Sequence, residues 1–596
     1  MNLEAEYLKR KEKFTKKALD LEQRYNRIAI FRLIFFLIGF GLTIFLFQKS
    51  TIYGLLSLFI FIVLAVRFVI WHNKLKHQQR HFNALSQINQ NEILGLQNDF
   101  SAFDGGEEFI DAEHPYSYDL DFFGDHSFFQ FCNRTVTYLG KENLAKKLSK
   151  TSSTEEIKLR QEAIKELAKK IDWRQNFQSI GLDIKDNPKH LDILSEWLQV
   201  PAFVINDKLL TFLRFVAPFF SLAALILAFS QPLYIVILLL LPALYTLRIT
   251  LERINDTHLR TTHSEKALGR YASLIKHIEK ENFDASLLQK LKANLSGKEQ
   301  SSAKTIKQLS YIISQLNVRY NFFAIFLNLL TLWDLQWVAR LEQWKDKNKD
   351  KLEGWFESLN EFDALISLST LAHNKPDWIY PEVNNRKQLK GIGLGHPLIP
   401  TTDSISNDLV MPTSEHIKLV TGSNMAGKST FLRTVGINIV LAQMGSKVCA
   451  KELTLPQLAV YTSMRTTDAL HENTSSFYAE LKRLKIILDA VDRKEQVYFL
   501  LDEILKGTNS KDRHTGSKAL IEQLIKSGGA GIIATHDLEL SSLEAQYDGN
   551  LENLCMEVEV NDDELVFDYK LKKGVSKSFN ATTLMRNMGI KISKEL

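Results

Sequence analysis

From Thr421 to Thr430 the chain reads Thr-Gly-Ser-Asn-Met-Ala-Gly-Lys-Ser-Thr, which satisfies the pattern G-x-x-x-x-G-K-[ST] in full. A polyphosphate carries several negative charges that must be met by donors. A loop that opens at Gly422 and closes at Gly427 can turn the backbone N–H groups of Ser423, Asn424, Met425 and Ala426 inward around such a ligand. Lys428 then reaches the β and γ phosphates, and the Ser429 hydroxyl can ligate Mg²⁺. Both stand, with Thr430, at the start of a helix whose N-terminal partial charge adds to the attraction. The spacing therefore predicts a nucleoside triphosphate as ligand.

A carboxylate pair supplies the second half of that chemistry. Val497-Tyr498-Phe499-Leu500-Leu501 reads as a buried strand that ends in Asp502-Glu503. Asp502, at the strand mouth, is placed to hold Mg²⁺ directly or through water. Glu503 points differently and can orient and deprotonate a water for in-line attack on the γ-phosphorus. His536 closes the next strand-like run, Gly531-Ile532-Ile533-Ala534, where a side chain could sense the γ-phosphate.

These residues need elements to position them. The last 200 or so residues alternate strand and helix patterns as a doubly wound α/β nucleotide-binding domain does, and Leu554–Val560 with Glu564–Leu571 reads as a β-hairpin around Asn561-Asp562-Asp563. At 596 residues the chain is too long for one core. A net charge of +5 is compatible with nucleic acid or anionic lipid and requires neither. Cys132, Cys449 and Cys555 form no C-x-x-C pair, so they suggest neither a zinc site nor a disulfide framework, and a reducing compartment fits. The basic N-terminal stretch precedes an apolar run too long, and without the small-residue site, for a cleavable signal.

Residues 1–27 read as a basic helix. Apolar runs at 28–47 and 52–70 follow, each long enough to cross roughly 30 Å of hydrocarbon and joined by only Gln48-Lys49-Ser50-Thr51. Lys and Arg flank both outer ends, which the positive-inside rule places in the cytoplasm. A second pair, Thr211–Phe229 and Leu233–Leu247, repeats the pattern across Ser230-Gln231-Pro232, with Pro218, Pro242 and Arg214 inside it. The competing reading is a set of all-round apolar helices buried in a soluble core. The shorter run Phe322–Trp333, broken by Asn328, reads as a core helix.

The resulting division is a basic helix at 1–27, a transmembrane hairpin at 28–72, a helical linker at 73–112, core helices at 113–204, a second hairpin at 205–247, lever and core helices at 248–384 and an ATPase domain at 385–596. In the lever region Arg253, Arg260, Lys266, Arg270, Lys276 and Lys280 could follow a phosphate backbone. Glu252, Asp256, Glu265, Glu279 and Glu281 are interleaved with them, which favours a salt-bridged solvated face.

The glycine loop resembles that of the MutS family, which usually reads T-G-P-N-M-G-G-K-S-T. Ser475-Ser476-Phe477-Tyr478-Ala479-Glu480 is similar to the family's S-T-F-M-V-E segment, Leu501–Thr508 resembles its D-E-I-G-R-G-T stretch, and Ala534-Thr535-His536 matches its A-T-H. Asn133–Gly140, Arg160-Gln161-Glu162-Ala163 and Gly395-His396-Pro397-Leu398 resemble the start and end of the family's core and lever helices. Ser423 and Ala426 depart from the usual proline and glycine and leave the loop feasible.

The resemblance implies an ABC-type P-loop ATPase domain of α/β class beside an all-α core and lever region. It implies ATP with Mg²⁺ at Ser429 and Asp502, hydrolysis promoted by Glu503, and contacts from Asn424 and His536. It also implies a homodimer with composite sites in which Ser475 of one subunit completes the γ-phosphate site of the other. The stretch before residue 113 leaves no room for the family's mismatch-reading domain, and no Phe-x-Glu wedge stands in a suitable setting, so mismatch-specific recognition is not expected. The sequence thus describes a multi-pass protein of the bacterial cytoplasmic membrane, with its N-terminus and ATPase domain in the cytoplasm and DNA left open as a partner. A transport motor and an ATP-binding scaffold are the competing functions; the Ser475-Ser476-Phe477 segment differs from the L-S-G-G-Q of transport ATPases, and intact Lys428, Asp502 and Glu503 argue against a scaffold.

Overall fold

The computed structural model describes residues 3–182, 188–297, 300–400, 402–423, 425–465, 476–561 and 564–576. Helices make up its first two thirds, and a mixed α/β region with two sheets makes up the rest.

Two continuous helices open the chain, α1 (Leu3–Lys49) and α2 (Thr51–Leu96). The basic N-terminal stretch and the apolar run after it are therefore one helix. Only Ser50 separates α1 from α2, so the pair folds back as an antiparallel hairpin. At Gly39 an added Cβ would lie 2.5 Å from the Phe61 ring, so the missing side chain is what lets that ring seat against α1. Only 6 % of the most apolar stretch of either helix is buried, so within this chain those stretches are not covered as a soluble core would cover them. At its outer end the hairpin is packed onto protein: Tyr7 Oη donates to Asn374 Oδ1 at 2.6 Å, and Arg10 meets Asp172 at 2.6 Å.

Shorter helices build the core: α3 (Phe128–Cys132), α4 (Tyr138–Ser149), α5 (Thr154–Lys169), α6 (Ile171–Gly181) and α7 (Pro188–Gln199). α5 shows why such pieces start where they do. Ser153 caps it and Glu156 reaches back to the Ser153 N–H, a reciprocal capping box. A second apolar hairpin follows, α8 (Lys208–Leu227) and α9 (Leu233–Thr261), in which Ala217, Ser221, Ala224 and Ala243 are buried and allow close approach of the two backbones. Among the described residues, four helices are thus long and apolar enough to cross a membrane.

The chain then lays down α10 (Glu265–Lys280), α11 (Ser286–Leu295), α12 (Ser302–Leu316), α13 (Ala324–Thr331) and the 42-residue α14 (Trp333–Asn374). Among the interleaved charges of this region, Arg260 pairs with Asp256 at 2.9 Å, Glu281 takes Lys170, just before α6, at 2.7 Å, and Glu279 accepts from Ser301 Oγ at 2.8 Å.

α13 departs from the core helix expected over Phe322–Trp333. Phe322, Phe323 and Ile325 are 77 %, 69 % and 73 % exposed, and of the helix itself only Ala324 is buried. The reason lies at its end. Leu332 adopts a left-handed conformation (φ 49°) that breaks the helix axis, and Asn328 Oδ1 accepts the N–H of Asp334 at 2.9 Å to start α14. Asn328, which interrupts the apolar run, is therefore a cap for the next helix.

α14 is the axis of the helical region, and two of its carboxylates hold other segments. Glu342 accepts the N–H groups of Phe203, Val204 and Ile205 at 2.7, 2.9 and 3.0 Å. Asp363, fully buried, accepts from Val136 N at 3.1 Å, Thr137 N at 2.9 Å and Thr137 Oγ1 at 2.7 Å, which fixes the start of α4.

Beyond α14 a four-stranded sheet has the order β1-β5-β2-β3, from β1 (Glu382–Val383), β2 (Gln388–Leu394), β3 (Asn407–Pro412) and β5 (Glu452–Leu455). The six-stranded sheet has the order β10-β9-β4-β8-β7-β6, from β4 (His416–Thr421), β6 (Ala459–Ser463), β7 (Val497–Asp502), β8 (Ala530–Thr535), β9 (Leu551–Asn561) and β10 (Glu564–Lys573). Its pairings are parallel except β9 with β10, the expected hairpin. β4, β7 and β8 are buried at all six positions, as apolar central strands of a parallel sheet must be. Helices α15 (Lys428–Gln443), α16 (Ser476–Asp492) and α17 (Ser510–Lys526) intervene in sequence.

The N-terminal region grips this sheet at its β6 edge. Thr462 N–H donates to Pro115 O at 2.8 Å, and the buried Asp119 accepts from Thr462 Oγ1, Met464 N and Arg465 N. An open strand edge is thereby satisfied within the chain.

Asp363→Ala would strand the Val136 and Thr137 donors in a fully buried setting. The expected loss is about 3 kcal/mol, read as a lowered unfolding midpoint of the helical region in detergent; an unchanged midpoint would contradict the anchoring role.

Candidate functional site

β4 ends at Thr421, and the chain turns through the glycine loop into α15. Gly422 cannot carry a side chain here, because a Cβ would lie 2.6 Å from the Met556 carbonyl of neighbouring β9. Gly427 has φ 95° and sits under the Tyr569 ring, which a Cβ would meet at 2.9 Å. Met425 also takes a positive φ (71°) and is 67 % exposed. Asn424 lies outside the described residues. Ala426 N–H donates to Ser423 O at 3.3 Å.

Lys428 opens α15 and folds back over the loop. Its Nζ donates to Gly422 O at 2.7 Å and Ser423 O at 2.8 Å, and burial pushes its pKa down while Glu503 and Asp502 pull the other way. Thr430 lines the adjoining cavity, and its carbonyl accepts from Thr434 Oγ1.

At the mouth of β7, Ser429 Oγ donates to Asp502 Oδ2 at 2.5 Å. Asp502 Oδ1 is buried and, among the described residues, has no hydrogen-bond partner. Burial raises the Asp502 pKa, against the pull of the Ser429 hydroxyl and of Lys506. A buried carboxylate oxygen without a donor is costly, and a divalent cation would satisfy it. Ser429 and Asp502 are thus a hydroxyl and a carboxylate, the hard oxygen donors that Mg²⁺ takes, already side by side.

Glu503 follows with φ 50°, and Leu505 with φ 61°, two non-glycine residues in left-handed conformations that cost about 1 kcal/mol or more each. The turn is held from both sides. Glu503 N–H donates to Ala534 O of β8 at 2.9 Å, and the carboxylate of Glu480 on α16 accepts the N–H of Leu505 and, at 3.1 Å, that of Lys506. The Glu503 carboxylate itself stands 3.6 Å from His536 Nδ1 and 3.7 Å from Lys506 Nζ. Glu503, His536, Lys428, Ser429 and Asp502 thus converge on one end of the sheet. Ser475 lies outside the described residues.

A cavity of about 470 Å³ adjoins the loop, lined by Lys428, Ser429, Glu503, His396, Ile405, Asn407, Phe431 and Tyr569 among others. Its volume lies within the roughly 300–1,000 Å³ usual for small-molecule sites. Tyr569 reaches it through an irregularity in β10: the β9–β10 register shifts between Phe567 and Leu571, and Tyr569 has φ 50°. Asn407 fixes that bulge, donating to Tyr569 O at 3.0 Å and accepting from Leu571 N at 2.9 Å. Burial, helped by nearby Arg433, lowers the His396 pKa to about 4, so this wall is neutral at physiological pH.

Sequence reasoning missed Tyr569, Asn407 and Ile405 because they stand far from the glycine loop in the chain and carry no spacing signal. Glu480 lies within a segment already singled out, yet its hold on the Glu503 turn is visible only in three dimensions.

Residues 418–592 match the family model for MutS domain V. The chain is 33 % identical over 253 residues to the DNA mismatch repair protein MutS of Thermotoga neapolitana, covering 42 % of this chain and 30 % of that protein. It is 34 % identical over 235 residues to MutS of Aquifex pyrophilus, covering 39 % and 27 %. Against the DNA mismatch repair protein MSH3 of Phaeosphaeria nodorum it is 32 % identical over 230 residues, covering 37 % and 20 %. The matches therefore span less than a third of these relatives' length. The C-terminal part of this chain, glycine loop and carboxylate pair included, matches MutS domain V.

Proposed function

We propose that this chain is a membrane-anchored ATPase of MutS type, in which ATP binding and hydrolysis drive conformational change in a dimer. The observation that carries the reading is the unpartnered, buried Oδ1 of Asp502, whose other oxygen takes the Ser429 hydroxyl at the foot of the glycine loop. That pair would hold Mg²⁺, which when bound neutralises charge on the β and γ phosphates.

The remaining residues divide the work. Amides of Ser423–Gly427 and the N-terminus of α15 surround the phosphates, and Lys428 exchanges its two carbonyl partners for phosphate oxygens. The nucleobase packs in the cavity against Tyr569 and the neutral His396 wall. Glu503 takes a proton from a water as its oxygen bonds to the γ-phosphorus; the bond from that phosphorus to the bridging oxygen breaks, releasing ADP and phosphate. His536, 3.6 Å from Glu503, orients that carboxylate and contacts the γ-phosphate. Asn424 and Ser475 are assigned to the phosphates by the family resemblance, Ser475 from the opposite subunit. In support of a dimer, Tyr478 and Leu481 of α16 are 60 % and 40 % exposed near that segment.

Membrane anchoring is supported by the two hairpins, whose outward apolar faces are largely exposed. Leu37, Phe59, Phe219 and Ile226 are among the side chains two-thirds or more exposed. Both hairpins would lie in the bacterial cytoplasmic membrane with the ATPase domain in the cytoplasm. The division into basic helix, hairpins, core, lever and ATPase units at the boundaries given above belongs to this proposal. DNA is the proposed partner because the relatives are named as DNA mismatch repair proteins.

Purified full-length protein in detergent is expected to hydrolyse ATP with Mg²⁺. Lys428→Ala should abolish turnover, and Glu503→Gln should bind ATP but turn over at least about 100-fold more slowly. Wild-type rates in either variant would end the assignment. The same preparation, with and without ATP, should bind perfect and mispaired duplexes equally and lose both steeply with salt; a clear mismatch preference would contradict the reading.

Acid is expected to weaken cation binding in a specific way. The Asp502 pKa is raised, so its ionised form costs stability above that pKa and the cost is relieved as the group protonates on acidification. Cation binding needs the ionised form. Mn²⁺ affinity followed by electron paramagnetic resonance should therefore begin to fall at a pH above the ordinary aspartate range, and Asp502→Asn should bind weakly at every pH.

A further inference from the structure

The segment Asn321–Trp333 contains no charged residue, and several of its aromatic and aliphatic side chains are exposed. Tyr320, Phe322, Phe323, Ile325 and Phe326 are 74 %, 77 %, 69 %, 73 % and 55 % exposed. An apolar cluster of this density, at the start of one short helix and just before it, marks a contact surface. α13 packs on α8 and α9, the second apolar hairpin, so its bare face continues theirs. Phe215 and Phe219 of α8 are 62 % and 71 % exposed on the same hairpin.

The rim of this surface is basic and aromatic. Arg214, Trp333, Gln336, Trp337 and Arg340 line a small cavity where α8 meets the start of α14, and the Arg340 guanidinium lies 4.3 Å from the centre of the Trp337 ring. Gln336 Nε2 donates to Arg214 O at 2.5 Å, which fixes α14 to α8 at this level. Trp with Arg is the composition that favours a membrane–water boundary, with rings at the headgroups and guanidinium groups toward phosphates. The left-handed Leu332, fully buried, turns α13 off the line of α14, so the helix can lie along such a boundary while α14 leaves it.

We propose that α13, with Tyr320–Phe323 before it, beds its aromatic face into the bilayer interface beside the second hairpin, so that α14 begins on the lipid surface. The inference rests on the membrane reading above and adds to it a monotopic contact that crosses nothing. α14 carries that contact 42 residues onward to the Asn374 end, where Tyr7 of α1 is bonded. One helix thus joins a lipid-seated foot to the first hairpin and to the strands that follow.

The test uses the full chain reconstituted in vesicles of phosphatidylethanolamine and phosphatidylglycerol, in a Cys449→Ala background, since Cys132 and Cys555 are buried. An environment-sensitive fluorophore is attached at Phe326→Cys, at Leu37→Cys in the first hairpin, and at Lys511→Cys on α17. Quenching is read from lipids brominated along the acyl chains and from aqueous iodide. Labels at 326 and 37 are expected to lose most of their emission to brominated lipid, and the label at 511 only to iodide. If 37 is quenched by lipid while 326 answers only to iodide, the inference fails and the membrane reading stands. Shielding of 326 from both quenchers would overturn it in favour of a second copy of the chain as the cover. If neither 37 nor 326 answers to lipid, the membrane reading fails and takes the inference with it.

Discussion

Buried carboxylates that accept runs of backbone N–H groups hold this molecule together. Asp363 takes Val136 and Thr137, and Glu342 takes Phe203, Val204 and Ile205. Asp119 takes Met464 and Arg465, and Glu480 takes Leu505 and Lys506. In each case a carboxylate on one element captures the N–H groups of a turn or helix start on another. Such groups have no partner of their own, and a charged acceptor makes a stronger bond than a neutral one. Because two or three donors in fixed directions must be matched at once, the clamp sets orientation as well as proximity.

The clamps form a sequence from the second apolar hairpin to the site. Glu342 fixes the approach to the second hairpin, Asp363 the start of the core helices, Asp119 the edge of the nucleotide-type sheet, and Glu480 the turn that presents Glu503. α14, about twelve turns long, contributes the first two of these, and neither of its ends is free: its start is capped by Asn328 and its last residue accepts from Tyr7. A motion of the Glu503 turn therefore passes first to α16, whose Arg483 donates to the carbonyls of His114 and Pro115 in the segment that grips β6. That is a contiguous physical connection between site and helical region.

Much of the site was legible because its chemistry is local. The glycine loop, Lys428 and Ser429 are contiguous, and Asp502-Glu503 follows an unbroken apolar strand; β4, β7, β8 and the β9–β10 hairpin all occur where apolar runs and turn residues place them. The two apolar hairpins were equally visible from length and from the short connections between their runs. What sequence did not convey depends on distant partners. Asp363 and Glu342 sit in a helix rich in charge, where nothing distinguishes a clamp from a solvated face. The four-stranded sheet joins short pieces without a strong alternation. α13 was misread because an apolar run of a dozen residues is ambiguous between a core helix and an exposed one; the decision was made by Leu332 and Asn328, which direct the chain away from the core.

The contact between residues 115–119 and β6 bears on how the protein may be divided. β6 is the outermost strand of its sheet, and its outward donor at Thr462 is met by Pro115 from more than three hundred residues earlier. A C-terminal fragment cut at residue 385 would keep every strand of that sheet yet lose the segment that finishes it. It would present a raw margin of the kind on which foreign strands stack, and its solubility would say little about the intact chain.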